Sequence, residues 1–420
     1  MPEKRIVVVG AGFGGLTAAL TLANDPALIS RGYEVILIDR HRHHLYTPGL
    51  YEIAAVPREY AKDHYLVSSS LIAVREIIRG RQIRFIQGEL AGLDAARRRI
   101  RLKSGGTLAY EFLILALGSE TNYFGIPGLS EYSVPLKTCD DAAQLRNAIE
   151  AAVRRKPSLA VVIGGAGATG VELAAELVNF ICTLEQSISK FRNIEMSGRM
   201  RCATKITLVE AAKQILPGFG RRLARDARKR LEHLGVEVRT GDPLIAASKK
   251  DVTLRSGERL PYDLLIWTGG VKGPAVLRRL GLPLSPKQTL VADPALRAGN
   301  PEDQIFAVGD NAWFINQRTK KPVAWNVPAA EAEGKHAAKQ ISRIVCGRKP
   351  RRFRPLRRYP FILAVGRKYA IANLASLRFD GLLGWWAKQL VGLRYFLFLL
   401  PWSRALRLWW RNIGLYRAND

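Results

Sequence analysis

A glycine-rich turn after the first apolar run constrains the fold more than any other feature of the chain. Residues 6–9 are Ile-Val-Val-Val, a run too short for a helix, and glycines follow it at once. Such a run predicts a buried parallel strand. Gly10, Gly12 and Gly15 have the spacing G-x-G-x-x-G, which allows a tight turn, backbone approach to a pyrophosphate and close packing of a helix on the strand. The pattern predicts a strand–turn–helix unit that binds a dinucleotide.

The residues after the turn strengthen this prediction. Residues 16–20 have the composition of a helix, and residues 34–38 are a second apolar run that ends in Asp39. A carboxylate about 20 residues beyond the turn can accept hydrogen bonds from the ribose hydroxyls of a dinucleotide. The alternative, a glycine-rich turn between an ordinary strand and helix, does not require that carboxylate.

The same signature occurs a second time in the chain. Another apolar run is followed by glycines at the same spacing and by a second acidic strand end: Gly165, Gly167, Gly170 and Glu210. Two complete signatures predict two nucleotide-binding folds. One dinucleotide site would suit a dehydrogenase with an external substrate, whereas two suggest a flavin held beside a nicotinamide.

Composition and charge limit the class of protein. The chain has 420 residues, enough for two or three domains, and 48% of them are hydrophobic, which indicates a globular protein. The formal net charge of +29 points to an anionic partner, either nucleic acid or the surface of an anionic bilayer. We expect a bilayer surface, because no nucleic-acid-binding motif is visible.

Cysteine usage and the chain ends suggest a location. The four cysteines are scattered without a C-x-x-C pair, which argues against a disulfide framework and favours a reducing compartment. The first strand begins within five residues, which leaves no room for a signal peptide. No run approaches the roughly 20 apolar residues of a membrane-spanning helix. We therefore expect the cytoplasmic side.

Three histidines at 41, 43 and 44 invite a metal site. They lie in a predicted turn, and no cysteine or carboxylate has ligand spacing to them. We predict no metal centre.

Later parts of the chain add three further signals. Small-residue crossings follow buried strands at 116–119 and 268–271, and the run 305–310 ends in Gly-Asp. A helix is predicted to begin near Pro328, because Asn326 is a suitable N-cap and proline is tolerated in a first helical turn.

With these motifs the chain resembles the flavoproteins that have two dinucleotide-binding domains. Among them it most resembles the type II NADH dehydrogenases, which are single-chain NADH:quinone oxidoreductases of the membrane surface. The matching motifs fall within about residues 1–345, and the remaining tail is similar in character only. The motifs are at 12–16, 44–48, 50–54, 167–174, 266–271 and 306–310.

The resemblance implies an α/β fold with two Rossmann-like dinucleotide-binding domains, the NADH domain being inserted into the FAD domain. The predicted FAD-binding parts are 1–125 and 276–346. The NADH-binding domain is predicted at 126–275, and a C-terminal amphipathic helical region for membrane association at 347–420.

The resemblance also implies FAD and NADH as cofactors. The first signature would hold the FAD pyrophosphate, with Asp39 on the adenosine ribose and Asp310 at the ribityl–phosphate end. The second would hold NADH, with Glu210 on its ribose. Glu210 would repel a 2′-phosphate, but Lys213 leaves NADPH open. The predicted cofactor-binding residues are Gly10, Gly12, Phe13, Gly14, Gly15, Asp39, Arg40, Ala116, Gly118, Gly165, Gly167, Gly170, Glu210, Gly269, Gly309 and Asp310.

The predicted catalytic residues are Glu172, Pro328 and Ala329. Glu172 resembles the glutamate that the family has beside the flavin, and would position the nicotinamide or relay protons; the alternative is an ordinary carboxylate near a helix N-terminus. The helix at Pro328 would direct its positive end toward the flavin.

The chain departs from the family at this helix. The family usually has Ala-Gln followed by further glutamines where the quinone ring binds, whereas residues 327–333 are Val-Pro-Ala-Ala-Glu-Ala-Glu. Glu333 stands where a glutamine is usual, which leaves the acceptor open. Cys139 would suggest a sulfide:quinone oxidoreductase, but a single cysteine before a helix is a poor match.

The tail has the composition of a membrane-interface segment. Five of the eight tryptophans lie in the last 36 residues. Trp402, Leu406, Trp409 and Ile413 recur at helical spacing while arginines take another face, and a second helix is predicted over 382–400. The alternative is a helix packed on the protein's own core or on a second subunit, as in a homodimer.

Together these features predict a peripheral NADH dehydrogenase on the cytoplasmic side of the membrane. A hydride would pass from NADH to FAD and two electrons to a quinone, without proton pumping. Two alternatives remain open: a flavoprotein of the same fold with another acceptor, and a membrane-recruited redox sensor that binds nucleotide without turnover.

Overall fold

The computed structural model describes residues 4–57, 70–156, 158–191, 203–374 and 377–416. The helices are α1 (Phe13–Ala23), α2 (Pro26–Ile29), α3 (Leu50–Ile53), α4 (Val74–Ile77), α5 (Leu129–Tyr132), α6 (Cys139–Arg155), α7 (Ala168–Phe191), α8 (Arg221–His233), α9 (Val327–Val345), α10 (Gly381–Leu399) and α11 (Trp402–Tyr416). Short 3₁₀ helices are Thr47–Gly49, Ala275–Arg279, Pro301–Asp303 and Gly309–Asn311.

The strands follow the same chain order. They are β1 (Arg5–Val9), β2 (Glu34–Asp39), β3 (His43–Leu45), β4 (Leu71–Ala73), β5 (Ile83–Gln87), β6 (Leu90–Asp94), β7 (Arg99–Leu102), β8 (Thr107–Ala109), β9 (Phe112–Leu115), β10 (Glu120–Thr121), β11 (Ser133–Pro135), β12 (Ala160–Gly164), β13 (Lys205–Glu210), β14 (Glu237–Thr240), β15 (Leu244–Ala247), β16 (Asp251–Leu254), β17 (Arg259–Pro261), β18 (Leu264–Trp267), β19 (Val271–Lys272), β20 (Leu290–Val291), β21 (Ile305–Ala307), β22 (Ala312–Trp313), β23 (Ile315–Asn316), β24 (Lys321–Pro322), β25 (Phe361–Ala364), β26 (Ala370–Leu374) and β27 (Leu377–Phe379).

The chain divides into two compact units. Unit 1 comprises Met1–His44, Ile72–Glu120 and Val271–Tyr359. Unit 2 comprises Leu45–Leu71, Thr121–Gly270 and Pro360–Asp420. Unit 2 therefore includes a short early segment and the tail, which the sequence assigned to other domains. The predicted functional boundaries themselves stay a prediction.

A parallel sheet forms the centre of unit 1. Its strand order is β21-β9-β1-β2-β5, and every neighbouring pair runs in parallel. The central strand explains this arrangement, because Val7 and Val8 are fully buried and pair with apolar residues on both sides. The chain continues from β1 to β2 on one side of it and later returns to β9 on its other side. The crevice at such a point of a parallel sheet is where these folds bind ligands.

Unit 2 repeats the same plan. Its parallel sheet has the order β11-β18-β12-β13-β14, so the strand of the second glycine signature is again central. In unit 1 the antiparallel sheet β6-β7-β8 comes directly before β9 in the chain, and in unit 2 the antiparallel sheet β15-β16-β17 comes directly before β18. β9 and β18 are strands that pair with the strand of the glycine signature in their own unit. The prediction of two Rossmann-like folds in an α/β protein is confirmed.

Most predicted elements are present, with shifted ends. Helix α6 begins at Cys139 because Thr138 forms a capping box with Asp141. The strand predicted over 305–310 ends at Ala307, since Gly309 has a φ of +74° and starts a 3₁₀ turn. The polar composition of residues 185–201 predicts a helical extension followed by a loop. Helix α7 does continue as far as Phe191, and the remainder of this stretch lies outside the described residues.

The tail differs from its prediction in one respect. Helices α10 and α11 form as expected, but the strands β25-β26-β27 precede them as an antiparallel sheet. Leu363, Val365 and Ile371 are fully buried in the main core of unit 2. The first part of the tail is therefore a structural element of unit 2. No helix among the described residues is both long and apolar enough to cross a bilayer.

The structure gives the bonding state of three cysteines. Cys139 and Cys346 are free thiols, but Cys182 on α7 is disulfide-bonded. The sequence argued against a disulfide framework, and the bond at Cys182 is a feature that the spacing of the cysteines does not predict.

Candidate active site

The first glycine signature forms a tight cradle in unit 1. Gly10 has a φ of +110°, and a Cβ there would lie 2.1 Å from the carbonyl oxygen of Ala116. A Cβ on Gly15 would lie 1.8 Å from the carbonyl oxygen of Gly10. Both positions therefore require glycine, the first for the turn and the second for packing of α1 on β1.

Gly12, unlike Gly10 and Gly15, lies beside open space. A Cβ built on Gly12 meets no heavy atom within 4 Å, so the space in front of the turn is open. Helix α1 begins at the next residue and directs its unpaired N–H groups toward this space. The cradle therefore fits a pyrophosphate group, which needs close backbone approach and a helix N-terminus.

Asp39 holds the first cradle from the end of β2. One carboxylate oxygen accepts the N–H of Ala11 at 2.6 Å, and the other accepts the N–H of His41 at 2.7 Å. The sequence predicted Asp39 as an acceptor for ribose hydroxyls. The structure adds a second role, because the carboxylate also fixes the backbone of the glycine turn.

The second signature has the same geometry in unit 2. Gly165 has a φ of +101°, and its Cβ would lie 2.3 Å from Cα of Gly269. A Cβ on Gly170 would lie 2.0 Å from the carbonyl oxygen of Gly165, whereas one on Gly167 would meet nothing within 4 Å. The second cradle therefore fits a pyrophosphate for the same reasons as the first.

Glu210 repeats the role of Asp39. Its two carboxylate oxygens accept the N–H groups of Ala166 and Ala212, each at 2.8 Å. The side chain is 8% exposed. The two acidic strand ends are thus structural equivalents as well as predicted ribose acceptors, a relation that only the backbone hydrogen bonds reveal.

A second group of polar residues lies at the end of β21 in unit 1. Asp310 accepts the hydroxyl of Ser119 at 2.9 Å. Gly309 donates its N–H to the carboxylate of Glu333 at 2.7 Å. The predicted FAD residues Gly309 and Asp310 are therefore held by the crossing after β9 and by helix α9.

Glu333 is an ionisable group that the family pattern does not predict. It is 4% exposed, and burial raises the pKa of its carboxyl to about 8, although the Gly309 N–H opposes the shift. The nearby Asp310 raises it further. At neutral pH Glu333 is therefore largely protonated and resembles the neutral glutamine that it replaces.

The predicted start of helix α9 is confirmed. Asn326 accepts the N–H of Ala329 at 2.9 Å, and Pro328 lies in the first turn. The helix packs closely on α1, since a Cβ on Gly334 would lie 2.1 Å from the carbonyl oxygen of Gly14. Pro328 and Ala329 therefore belong to the same unit as the first cradle.

The remaining predicted residues of unit 1 take different positions. Phe13 packs edge-on against His44, with ring centroids 4.9 Å apart. Arg40 is exposed and its guanidinium donates to His41. Gly118 has a φ of +69° and open space at its Cβ position.

The histidine cluster does not form a metal centre. His44 is buried, its Nδ1 lies 2.8 Å from the carbonyl oxygen of Ala11, and burial lowers its pKa to about 4. Neutral His44 therefore supports the first glycine turn. Within the described ranges no group of three or more histidine, cysteine or acidic side chains has the geometry of a metal site.

Glu172 belongs to a buried charged cluster in unit 2, which sequence reasoning missed apart from Glu172 itself. Lys388 of α10 contacts the hydroxyl of Tyr51 and Oε1 of Glu52. Its ammonium also lies over the ring of Tyr51, 4.8 Å from the centroid. Glu172 and Glu176, one turn apart on α7, face the same charges. We call Tyr51, Glu52, Glu172, Glu176 and Lys388 the acid cluster.

The protonation states of Glu172 and Lys388 follow from their burial and from the charges around them. Burial raises the pKa of Glu172 to about 8, although Lys388 and the Ala364 N–H, 3.3 Å away, oppose the shift. Burial alone would lower the pKa of Lys388, but Glu52 and the α7 carboxylates raise it above its ordinary value. Burial outweighs the opposing charge of Lys388 at Glu172, so Glu172 holds a proton at neutral pH.

Cys139 does not fit a redox role. Its thiol is 6% exposed, and burial raises its pKa to about 12. A thiolate is the reactive form of cysteine, so this thiol is chemically inert. The structure therefore gives no support to a sulfide-oxidising site at Cys139.

Known proteins resemble this chain over most of its length. The chain is 27% identical over 362 residues to a type II NADH:quinone oxidoreductase of Staphylococcus saprophyticus, covering 84% of this chain and 85% of the relative. It is 28% identical over 362 residues to the protein of that description from Staphylococcus aureus, with the same coverage.

Solved structures share the fold. The structure of NDH2 from Plasmodium falciparum in complex with NADH has a TM-score of 0.80 at 18% identity and covers 98% of both chains. The sulfide:quinone oxidoreductase of Aquifex aeolicus has a TM-score of 0.77 at 17% identity, covering 98% of this chain and 92% of that one.

A family model identifies the chain more directly. The model for pyridine nucleotide-disulphide oxidoreductases matches residues 4–334, which include both glycine cradles, both acidic strand ends and the start of α9. With its duplicated cradles and this match, the chain belongs to the pyridine nucleotide-disulphide oxidoreductase family.

Proposed function

We propose that this protein is an FAD-dependent NADH:quinone oxidoreductase that works at a membrane surface. The duplicated cradle carries the proposal, because each unit has a glycine turn that fits a pyrophosphate, a helix N-terminus beside it and a carboxylate at the end of the next strand of its sheet. The curated relatives that match more than four fifths of the chain have the same activity in their names. A sensor that only holds one nucleotide would not need both cradles.

Each cradle has an assigned cofactor in this proposal. The unit 1 cradle holds FAD, with Asp39 on the ribose and Asp310 as a hydroxyl acceptor; the unit 2 cradle holds NADH through Glu210. Bound FAD supplies the chemistry of hydride acceptance from NADH and two-electron donation to a quinone. Glu210 favours NADH over NADPH, because a buried carboxylate repels a 2′-phosphate.

The acid cluster supplies protons. Of the two hydrogens that a quinol gains, one comes with the hydride of NADH and the other is supplied as a proton, and Glu172 is a buried carboxyl that holds a proton at neutral pH. Lys388 and Glu52 form a salt bridge beside Glu172. The cluster can therefore release a proton from Glu172 and recover it.

The tail has a surface suited to a lipid bilayer. Helix α10 buries one side, including Trp385 and Phe396, but its other side and α11 expose large apolar residues. These are Leu382, Leu383, Trp386, Leu390, Val391, Leu397, Phe398, Trp402, Leu406 and Trp410. Exposed aromatic side chains with neighbouring arginines are typical of helices that lie in a membrane interface.

We infer a peripheral enzyme whose helices α10 and α11 lie on an anionic leaflet, with the cytoplasmic side as its location. A homodimer is the competing use of the same apolar surface. A double variant, Trp402→Ser with Trp410→Ser, should bind anionic vesicles at least tenfold more weakly. Phe124→Ser with Ile245→Ser, which removes exposed apolar residues elsewhere, is the control. Unchanged vesicle binding together with loss of a dimer would favour the homodimer.

The experiment that tests the activity is an anaerobic visible spectrum of the purified protein. NADH should bleach a flavin band, and a short-chain quinone should restore it. Bleaching without restoration would leave the nucleotide sites standing and exclude the quinone. Absence of a flavin band would contradict the assignment of the first cradle.

One observation favours a second candidate, a flavoprotein of this fold with a different acceptor. The first turn of α9 has Pro328 and Ala329 where the family usually has a glutamine, so no side-chain amide is available there. Glu333 is further along the same helix, and its carboxyl group already accepts the N–H of Gly309. Restoration of the flavin band by a soluble one-electron acceptor, but by no quinone, would favour this candidate.

A further inference from the structure

A basic segment follows helix α9 and has no role in the proposed reaction. Residues 348–358 read Arg-Lys-Pro-Arg-Arg-Phe-Arg-Pro-Leu-Arg-Arg, and their seven cationic side chains are exposed. None of the seven makes an ion pair with any residue that the structure describes. We call residues 348–358 the basic segment.

The basic segment is held in place by unit 1. Phe353 is 8% exposed, and its ring lies 5.6 Å from that of Phe314. Its N–H donates to the carbonyl oxygen of Pro294 at 2.7 Å, and the side-chain amide of Asn316 donates to the carbonyl oxygen of Leu356 at 3.3 Å. These anchors fix the backbone from which the cationic side chains on either side of Phe353 extend.

A cleft of about 210 Å³ lies beside the anchored phenylalanine. Three arginines line it, Arg318, Arg352 and Arg354, together with Asn316 and Gln317. No carboxylate is among its described lining residues. Three like charges around one cavity repel each other, so an anion in the cleft would lower the electrostatic free energy.

We propose that this cleft binds a phosphate group. Arginine forks donate parallel pairs of hydrogen bonds that match the oxygens of a phosphate. A phosphate has enough oxygens to accept from three forks at once, whereas one carboxylate has two. The remaining cations of the basic segment would attract ligands with more than one phosphate. The phosphate belongs to a soluble anion or to a lipid headgroup.

The site goes beyond the proposed function. None of its residues belongs to a glycine cradle, an acidic strand end or the acid cluster. Binding at the cleft therefore does not depend on which acceptor the enzyme uses.

The first arm of the test uses the full-length, FAD-loaded protein with saturating NAD⁺, which fills the second cradle. Inorganic pyrophosphate is titrated calorimetrically at low ionic strength, because salt screens exposed charges. The variant carries Arg318→Gln, Arg352→Gln and Arg354→Gln. The control carries Lys249→Gln, Lys250→Gln and Arg255→Gln, three exposed cations of unit 2, so that the net charge changes equally.

The second arm measures partition into vesicles of phosphatidylglycerol and of phosphatidylcholine. We expect the cleft variant to bind at least tenfold more weakly than the control in one arm or both. A loss with pyrophosphate alone assigns a soluble phosphate, and a loss with phosphatidylglycerol vesicles alone assigns a headgroup. Indistinguishable binding by the two variants in both arms would overturn the site.

Two further measurements keep the outcome clear. Equal melting temperatures would establish that both triple variants fold, and Arg352→Gln alone is measured in the same way if they differ. Failure of the membrane proposal can be distinguished from failure of the cleft. If the membrane proposal is wrong, the Trp402 and Trp410 variant keeps its vesicle binding, and the pyrophosphate titration of the cleft variant is unaffected.

Discussion

Lys388 contacts Glu52 through a salt bridge between residues that are 336 positions apart in the chain. The side chain of Lys388 is 17% exposed and that of Glu52 is 12% exposed. The pair ties the inward side of α10 to the segment that also supplies Tyr51. The helix that we assign to the membrane surface is therefore also the source of the cation that balances the acid cluster.

Replacement of that cation should destabilise unit 2. Lys388→Met removes the cation that Glu52 contacts, and a buried carboxylate that loses its salt bridge costs on the order of 3–5 kcal/mol. The free energy of urea unfolding measures the effect. Lys249→Met, at an exposed position, should change it by less than about 0.5 kcal/mol. Equal values for both variants would show that the buried salt bridge is dispensable.

Glu172→Gln should separate the two half-reactions. Glu172 donates a proton below its pKa of about 8, so flavin reoxidation by quinone in the wild type should slow as pH rises through 8. The glutamine variant should be slower, on the order of 100-fold, and lose that pH dependence. Stopped-flow reduction by NADH should be unchanged. A parallel loss in both half-reactions would instead place Glu172 in nicotinamide positioning.

Gly12→Ala should weaken FAD binding while the apoprotein stays folded. The added methyl group meets no protein atom within 4 Å but enters the space that fits a pyrophosphate. Flavin content after gel filtration should fall at least tenfold, with the melting temperature of the apoprotein nearly unchanged. Gly167→Ala is the matched control, because it should raise the KM for NADH and leave FAD in place. Retention of FAD by the Gly12 variant would contradict the assignment of the first cradle.

Glu210→Gln should reduce nicotinamide selectivity. The amide can accept only one of the two N–H groups that the carboxylate accepts, and it no longer repels a 2′-phosphate. We expect the KM for NADH to rise about tenfold and the preference for NADH over NADPH to fall. Asp39→Asn, the equivalent change in unit 1, should affect FAD retention and not this preference. An unchanged ratio of kcat/KM for the two nucleotides would remove Glu210 from the NADH site.

Glu333→Gln should change how stability depends on pH. The folded-state pKa of about 8 lies above the ordinary value, so the native protein binds the extra proton between about pH 4.5 and 8. Its stability therefore falls as pH rises through that range. The isosteric glutamine removes this contribution, worth about 3 kcal/mol between pH 5 and pH 8. Urea unfolding at both pH values measures it, with Glu302→Gln as an exposed control. Identical pH slopes for all three proteins would contradict a buried, protonated Glu333.

The sequence was sufficient for the local units of the fold. Each glycine signature has its strand before it and its helix after it because the same glycines make the turn and permit the close packing. Apolar runs bounded by glycines likewise predicted β12 and β18 in unit 2. Asn326 before Pro328 predicted the start of α9, since capping depends on neighbouring residues only.

Relations between distant parts of the chain could not be predicted. The acid cluster joins residues near 52, 172 and 388, and no periodicity connects them. Strands β25 to β27 were missed because the basic and aromatic composition of residues 347–420 favoured an amphipathic helical region, although Phe361–Ala364 is an uninterrupted apolar run. The second role of Asp39 and Glu210, as clamps on the glycine turns, depends on backbone geometry that motif spacing does not report.

The strand order of unit 1 has a consequence for how the protein acquires its flavin. β21 pairs with β9 and completes a sheet whose central strand begins at Arg5, so this sheet joins residues from both ends of a span of about 300 positions. Helix α9, which packs on α1, comes later still. On the ribosome, the parallel sheet of unit 2 can form before the first cradle is complete. We therefore expect flavin incorporation to be a late step in biogenesis, after synthesis of at least four fifths of the polypeptide.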